Sequence, residues 1–390
     1  MLRIYERDAY VFEFEAAVTS ADKEWIALDA TAFYPGGGGQ VSDTGRICGL
    51  AVTEVKPEGE NILHRVPGHA LKAGDTVWCT VDWERRYDLM IGHTAEHLFF
   101  GALKREDPDI DIVKIFISPE SKYVVVDRDV GWDVIGKAQD SVNRAVKDDL
   151  AVIRSTMSRN DPELKNIRVK LERIDGEFLT VVEIGDADAA ACSGIHVRET
   201  GEIGAFLADR KVSAGKDGYA IHFRVGADAL ARSTDLANKF LRMTDIMGTK
   251  PEDAVCAAQN LKRDCDVRTK QLRAAIARMI DGLIPETVCG VPVYSGLFGT
   301  DDRTVITEAA ERIKNAGGVA VLLAAGGSLS VTVSSGVKNV NCSEILKDAA
   351  AKEGGRGGGK QDFAQGGVPD AAKADIIMSS IMRSVKEALK

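Results

Sequence analysis

The chain has 390 residues, of which 45% are hydrophobic and 28% charged, and this balance argues against both wholesale disorder and a membrane protein. Its length predicts two to four domains, each able to bury its own core. The formal net charge of −9 argues against a chain that binds nucleic acid over its whole surface, because phosphate contacts are normally made by an excess of Lys and Arg.

The first ten residues, MLRIYERDAY, are charged and lack the apolar stretch of a secretory signal. The longest apolar run, Val319–Ala325, is too short to span a bilayer. Seven cysteines, an odd number scattered along a long chain, are typical of reduced thiols that include a metal ligand rather than of a disulfide framework. These features predict a cytoplasmic protein with no membrane partner.

Residues 1–88 alternate apolar and polar side chains in short runs separated by Gly, Pro and Asp. Such a pattern predicts strands, and we expect a small, barrel-like β domain. A glycine run, Gly36, Gly37, Gly38 and Gly39, lies within it and is followed by Gln40.

Residues 89–226 read as a mixed α+β domain. The pattern changes at Asp82, where apolar residues begin to recur at helical spacing, and a second helix is expected over residues 134–150. Strands are expected at Ile112–Ile117, near Val169 and over residues 123–126 and 178–184.

Residues 227–283 predict a helical arm of coiled-coil character, divided into two helices by Gly248 and Pro251. Residues 284–390 predict a small α/β domain. Its strands are expected at 288–296, 319–324 and 329–334, with helices at 308–315 and 371–389 and a glycine-dense loop at 353–367. The fold class is therefore α+β, with a β-barrel-like domain, a mixed α+β domain, a helical arm and a small α/β domain.

Basic side chains cluster in the second domain, at Arg144, Lys147, Arg154, Arg159, Lys165, Arg168, Lys170 and Arg173. One face of an acidic protein can be positive in this way. An ordinary solvated helix face explains the cluster equally well, and both interpretations stay open.

Two pairs of metal-ligating residue types recur at one spacing. His93 and His97 stand at i and i+4, on one face of the predicted helix, and Cys192 and His196 repeat that spacing in a Gly-rich segment. Matched pairs in a chain with only six histidines predict one zinc ion bound by these residues. The zincin protease pattern is excluded, because it requires Glu where Thr94 follows the first His.

The zinc can be structural or catalytic. Four protein ligands ordinarily make a closed structural site. Structural sites, however, favour two or more thiolates, and a set dominated by histidine suits hydrolysis, which makes the catalytic alternative the stronger.

Three motifs, in the order in which they occur along the chain, resemble those of a known family. The two pairs, the preceding stretch FYPGGGGQVSDTG and the late stretch GRGGGKQDFAQGG are similar to the long form of the AlaX alanyl-tRNA editing proteins. They also resemble the editing domain and the C-terminal, DHH-associated domain of alanyl-tRNA synthetase. The resemblance covers nearly the whole chain.

The resemblance implies zinc at the four ligands and hydrolysis of the ester that joins serine, and also glycine, to alanine tRNA. In that family the glycine motif borders the editing pocket, so Gly36 to Gly39 and Thr94 are expected at the substrate, and Gln40 is a candidate contact to the amino acid or the terminal adenosine. An ordinary turn between two strands is the alternative for the glycine run. The synthetase helix often reads HSATH, whereas this chain has Glu96 before the second His. Glu96 is open to two interpretations, a general base or a solvent-exposed salt-bridge partner.

The expected function is thus a zinc-dependent deacylase acting on alanine tRNA that carries the wrong amino acid. Arg356 and Lys360, in the late glycine-dense stretch, are candidate tRNA contacts, and the C-terminal region is expected to reach tRNA or to form a homodimer. The alternative is a non-catalytic tRNA-binding protein with a structural zinc. A phosphoesterase is disfavoured because the chain lacks an Asp-His-His metal motif.

Overall fold

A computed structural model describes residues 1–169, 171 and 176–390. These residues form two compact units, Met1–Arg242 and Met243–Lys390. Lys170 and Arg173 of the predicted basic cluster lie outside the described residues. Within the described ranges, no helix combines the length and the apolar character that a membrane crossing requires.

The first unit begins with short strands that alternate buried and exposed residues. They and one short helix are β1 (Leu2–Arg3), α1 (Ile4–Arg7), β2 (Glu13–Asp22), β3 (Trp25–Leu28), β4 (Ala30–Thr31), β5 (Gly45–Ile47), β6 (Leu50–Val52), β7 (Glu54–Glu58), β8 (Asn61–Arg65) and β9 (Thr76–Val81). The main sheet has the order β6-β5-β9-β2-β3-β8-β7, and β1 pairs with β4. Its edge strands β6 and β7 are separated in the chain by Thr53 alone, so the sheet is nearly closed and the predicted barrel-like shape is confirmed.

A long helix, α2 (Trp83–Glu106), follows the barrel and is capped by the Asp82 side chain, which accepts from the backbone N–H of Arg85. The strands and the helix that follow, up to residue 225, are β10 (Ile112–Ile117), β11 (Lys122–Val126), α3 (Trp132–Asp148), β12 (Val152–Ser158), β13 (Phe178–Ile184), β14 (Asp188–Ala191), β15 (Phe206–Ser213) and β16 (Tyr219–Val225). They form two antiparallel sheets, β10-β11-β16-β15 and β12-β13-β14. One face of α2 is buried in this core through Leu89, Phe99 and Leu103, which fixes the direction of the helix.

The predicted pair of helices is present as α4 (Gly226–Met247) and α5 (Ala254–Asp281). Gly248, with φ of +62°, ends the first, and Pro251 opens a short 3-10 turn before the second. Several large apolar side chains of α5 are exposed, among them Leu261, Leu272 and Met279.

The second unit is built on one sheet with the order β17-β18-β19-β20-β22-β21. Its remaining elements are β17 (Glu286–Val288), β18 (Val291–Phe298), α6 (Arg303–Asn315), β19 (Val319–Ala325), β20 (Leu329–Ser335), α7 (Cys342–Lys352), β21 (Arg356–Gly359), β22 (Phe363–Val368) and α8 (Ala374–Leu389). The apolar run that is too short for a membrane is β19, a strand whose residues are buried almost throughout.

The glycine-dense stretch was predicted as a loop, and this prediction was wrong: the segment is the hairpin β21–β22. The glycines permit close approach rather than flexibility. A Cβ on Gly357 would lie 3.0 Å from Cγ of Leu346 in α7 and 3.1 Å from Cα of Gly366 on the neighbouring strand. Helix α7, which the sequence pattern did not reveal, packs on the hairpin at the positions where these glycines have no side chain. The predicted domain boundaries at residues 88, 226 and 283 stay predictions.

Candidate metal centre

The four predicted ligands lie together in the first unit. Helix α2 carries His93 and His97 one turn apart, and the segment after β14 carries Cys192 and His196. One ligand atom from each lies within 4.8 Å of the others. Cys192 Sγ is 3.5 Å from Nε2 of His93 and 3.4 Å from Nε2 of His196. The sequence spacing therefore predicted a real cluster.

Each imidazole has a further polar neighbour at its Nδ1 atom. The side-chain oxygen of Gln40 lies 2.7 Å from Nδ1 of His93, and Thr94 Oγ1 lies 3.1 Å from Nδ1 of His196. The Asp188 carboxylate lies 3.4 Å from Nδ1 of His97. Such outer partners fix the tautomer and the orientation of metal-binding histidines, leaving Nε2 for the metal.

The glycine run places Gln40. Gly36, Gly38 and Gly39 have φ of +83°, +62° and +94°, a region that L side chains rarely adopt. A Cβ on Gly39 would lie 2.5 Å from the carbonyl oxygen of Ile115 in β10. The run is thus held against β10, and Gln40, directly after it, is buried beside His93. Its amide Nε2 has no hydrogen-bond partner in the described part of the chain.

Thr94 and Glu96 are both buried on α2 between or beside the histidines. The Thr94 hydroxyl donates to the Met90 carbonyl at 3.0 Å and accepts from the Val197 N–H at 3.3 Å, besides its contact with His196. The Thr94 hydroxyl is therefore already hydrogen-bonded within the protein. Glu96 is not the solvent-exposed residue that one interpretation required, because it is 2% exposed and burial raises its pKa. Its Oε1 has no hydrogen-bond partner among the residues described.

The electrostatics of the cluster favour a thiolate. Burial alone would raise the pKa of the Cys192 thiol, but the imidazoles of His93 and His97 lower it well below its ordinary value. Burial lowers the pKa of His196 to about 3. Burial acts in the same direction on His97, yet the adjoining Cys192 and Asp188 raise its pKa to about 10. The backbone N–H of Gly194 also donates to Cys192 Sγ at 3.3 Å.

The donor set fits zinc, because three imidazoles and a thiol that ionises readily, in one compact group, are ligands that zinc prefers. One side of the group is closed, since His93 and His97 are buried in α2. The other is open: Cys192 and His196 are only partly buried, and His196 lines a cleft of about 310 Å³ together with Gly194.

Asp188 belongs to this centre although the sequence analysis did not single it out. It is buried, and Arg168 donates to its two oxygens at 2.8 and 2.6 Å. A lone aspartate four residues before Cys192 has no distinctive signal in a chain with 59 acidic residues. Arg168 was singled out only as a member of the basic cluster, for which a positive face and an ordinary solvated helix face both stayed open.

Arg356 and Lys360 lie in the second unit, on strand β21 and in the turn after it, and both are exposed. Their proposed contact with tRNA stays a prediction.

Three family models match separate parts of the chain. Residues 179–212, which contain Cys192 and His196, match the threonyl and alanyl tRNA synthetase second additional domain. Residues 7–85 match the class II (A) tRNA synthetases, and residues 293–387 match the DHHA1 domain.

The resemblance to long AlaX proteins is confirmed. The chain is 27% identical to the alanyl-tRNA editing protein AlaX-L of Pyrococcus horikoshii, over 100% of this chain and 99% of that one. It is 30% identical to the alanine–tRNA ligase of Methanoregula boonei over 94% of this chain, and 28% identical to that of Pyrococcus abyssi over 97%. The chain spans only 41% and 43% of the length of those two ligases.

Proposed function

We propose that this protein is a zinc-dependent deacylase that removes wrongly attached serine from alanine tRNA. The observation that carries the proposal is the half-open cluster of His93, His97, Cys192 and His196, with a cleft on the side of His196. The similarity to AlaX-L along the whole chain supports the choice of substrate. When bound there, zinc supplies Lewis-acid polarisation of an ester carbonyl and activation of water.

The chain's own residues supply positioning. Gln40 and Thr94 hydrogen-bond to the imidazoles of His93 and His196, and the Asp188 carboxylate lies 3.4 Å from Nδ1 of His97, so the ligands are oriented before a substrate enters. Two buried polar atoms close to the ligands have no hydrogen-bond partner in the described residues, Gln40 Nε2 and Glu96 Oε1. A donor and an acceptor of this kind match the hydroxyl of serine, which can accept one hydrogen bond and donate another.

This arrangement predicts strong discrimination against alanine. A site built to bind a hydroxyl leaves buried polar groups unpaired when the hydroxyl is missing, and the discrimination can reach ~10⁴ on that principle. Purified, zinc-loaded protein should therefore release serine from seryl-tRNA(Ala) far faster than alanine from alanyl-tRNA(Ala). Comparable rates on the two substrates would contradict an editing function.

The alternative, a non-catalytic tRNA-binding protein with a structural zinc, gives a different result in the same assay. Seryl-tRNA(Ala) would then be bound, but it would lose its serine no faster than it does in the absence of the protein. The donor set of three histidines and one cysteine disfavours this alternative, because structural zinc sites favour two or more thiolates.

The ligand set has its own test. Cys192→Ala removes the thiolate and should strongly deplete zinc in the purified protein, as measured by elemental analysis. Cys265→Ala, an exposed cysteine on α5, is the matched control and should leave zinc unchanged. Full zinc content in Cys192→Ala would refute the assignment of this residue.

The second unit is proposed to serve affinity or assembly. The exposed Arg356 and Lys360 can contact phosphates of tRNA, and the exposed apolar residues of α5 can pair with a second copy of the chain. The proposed partners are thus mischarged alanine tRNA and, through the C-terminal region, a homodimer.

A further inference from the structure

The cleft lined by His196 carries an arginine with no acidic partner among the residues that the structure describes. The cleft is lined on one side by His196 and Gly194 and on another by strand β12, including Arg154. Its volume of about 310 Å³ is at the lower end of small-molecule sites. A single nucleotide-sized group is therefore a suitable occupant.

Arg154 is the half-buried, unpaired cation among the described residues of the cleft, since Arg7, which also has no ion pair among them, is exposed. Arg198 is paired with Asp8, at 3.1 Å, and its guanidinium lies over the Tyr10 ring. Glu6 is paired with Arg3. Arg154, in contrast, is half-buried and makes no ion pair and no side-chain hydrogen bond with any residue the structure describes. A partly buried guanidinium keeps its charge and presents several donors, so its desolvation favours an anionic ligand.

The position of Arg154 relates it to the metal ligands. In the β12–β13 ladder Arg154 is directly opposite Val182, and Val182 is opposite Ala190 on β14, two residues before Cys192. Residues directly opposite in a ladder share one face of the sheet, and Arg154 and Val182 both line the cleft. An anion held by Arg154 and a group held at His196 would therefore occupy the same cleft.

We propose that Arg154 binds the phosphate on the 5′ side of the aminoacylated terminal nucleoside, while the ester lies at the His196 end. The inference rests on the proposed function and adds a phosphate subsite to it. Arginine binds phosphate through two parallel hydrogen bonds, which fixes orientation as well as affinity. The subsite thus sets how far the ester reaches towards the metal ligands.

Two hydrolysis-resistant probes test this subsite: 3′-(serylamino)-3′-deoxyadenosine, and the same compound with a 5′-monophosphate. Their dissociation constants are measured by calorimetry on the zinc-loaded full-length protein. The wild type should bind the phosphorylated probe about tenfold or more tightly than the nucleoside, the effect of a charge-assisted hydrogen bond. Arg154→Met should abolish that preference and leave the affinity for the nucleoside unchanged, while Arg154→Lys should retain part of it.

The nucleoside is an internal control, because a merely structural role of Arg154 would weaken both probes alike. Arg198→Met is the matched variant, a cation of the same cleft that is already paired, and it should keep most of the preference. Equal affinity of the wild type for the two probes would overturn the phosphate subsite. An equal loss of the preference in Arg154→Met and Arg198→Met would overturn it too, because the preference would then come from the overall positive potential of the cleft and not from Arg154. If the wild type binds neither probe, the proposed function itself fails and the subsite with it.

Discussion

The carboxylate of Asp188 lies 3.4 Å from Nδ1 of His97 and is held by two hydrogen bonds from Arg168. Outer carboxylates of this kind orient a metal-binding imidazole and raise its basicity, and their loss typically costs 10–100-fold in metal affinity. We therefore expect Asp188→Asn to weaken zinc binding by about that factor, measured by competition with a chromogenic chelator. Asp186→Asn, an exposed aspartate two residues earlier, should bind zinc like the wild type. Equal zinc affinities of the two variants would contradict a role for Asp188.

His64, in the barrel, gives a prediction about pH. It is fully buried beside Thr31, whose hydroxyl is 2.8 Å from its Nε2, and burial lowers its pKa to about 4. The unfolded chain protonates this group near pH 6.5, whereas the folded chain excludes the proton down to about pH 4. The free energy of unfolding should consequently decrease as the pH falls from about 6.5 to 4, by on the order of 3 kcal/mol.

The measurement is urea unfolding as a function of pH, for the wild type and for His64→Gln, which keeps a side chain able to hydrogen-bond to Thr31. The variant should show a flatter profile between pH 6.5 and 4, and above pH 6.5 the profiles should run parallel. An unchanged slope in His64→Gln would show that other groups cause the acid sensitivity.

Sequence reasoning found the four candidate metal ligands because they stand in pairs four residues apart. Helix α2 converts that spacing directly into proximity for His93 and His97, whereas Cys192 and His196 lie in the irregular segment after β14. It missed Asp188 because the partners of that residue, His97 and Arg168, are 91 and 20 residues away and no local pattern connects them. Gln40 was found as a neighbour of the glycine run, yet its contact with His93 depends on how the run packs against β10. Long-range packing of this kind has no local signal.

At the scale of elements, α2 is joined to the barrel by a buried ion pair. Arg86 and Asp43 are both 0% exposed, and Nε of Arg86 donates to Asp43 at 3.0 Å. The same guanidinium donates to the carbonyl oxygens of Ala9 and Ala32, and Asp43 accepts from the Tyr34 N–H at 2.6 Å. The pair is thus fully hydrogen-bonded and fixes the helix that carries His93 and His97.

Removing one partner should be costly, because the other charge stays buried without compensation. We expect Arg86→Met to lower the free energy of unfolding by about 3–5 kcal/mol. Arg85→Met is the matched control, since Arg85 is only partly buried and bonds to a single backbone carbonyl, that of Ser42; its effect should be below about 1 kcal/mol. Chemical denaturation of the two variants measures the difference, and equal losses would contradict the role of the buried pair.

Helices and strands were predicted correctly where the hydrophobic periodicity of a segment and its length indicated the same kind of element. The strands of the barrel and the two helices broken at Gly248 and Pro251 are present. The hairpin β21–β22 was read as a loop because glycine ordinarily marks turns, whereas Gly357 and Gly366 are needed here for the contact with Leu346 of α7. Helix α7 was also missed. Its Leu346 occupies the space that a side chain at Gly357 or Gly366 would need, so the glycines can be explained only once the helix is known.

At the scale of the whole molecule, the four candidate metal ligands and Gln40 all lie in the unit Met1–Arg242. This unit includes the first turns of α4, because Ala229 is buried and Arg232 donates to Asp209 of β15 at 3.0 Å. A fragment should therefore end at Arg242 rather than at the predicted boundary near residue 226, which would expose Asp209. We expect the fragment 1–242 to bind zinc and to hydrolyse a minimal seryl acceptor-stem substrate.

The same fragment separates the two proposed roles of the second unit. If the hairpin with Arg356 and Lys360 contacts tRNA, the fragment should bind full-length tRNA more weakly and with a shallower dependence on salt, because fewer counterions are released. The full-length double variant Arg356→Gln, Lys360→Gln should then reproduce part of that loss. If α5 only dimerises, sedimentation should show a monomeric fragment whose affinity per protomer is unchanged. Loss of hydrolysis at saturating acceptor stem, in a fragment that is folded and zinc-loaded, would show that the second unit takes part in the chemistry.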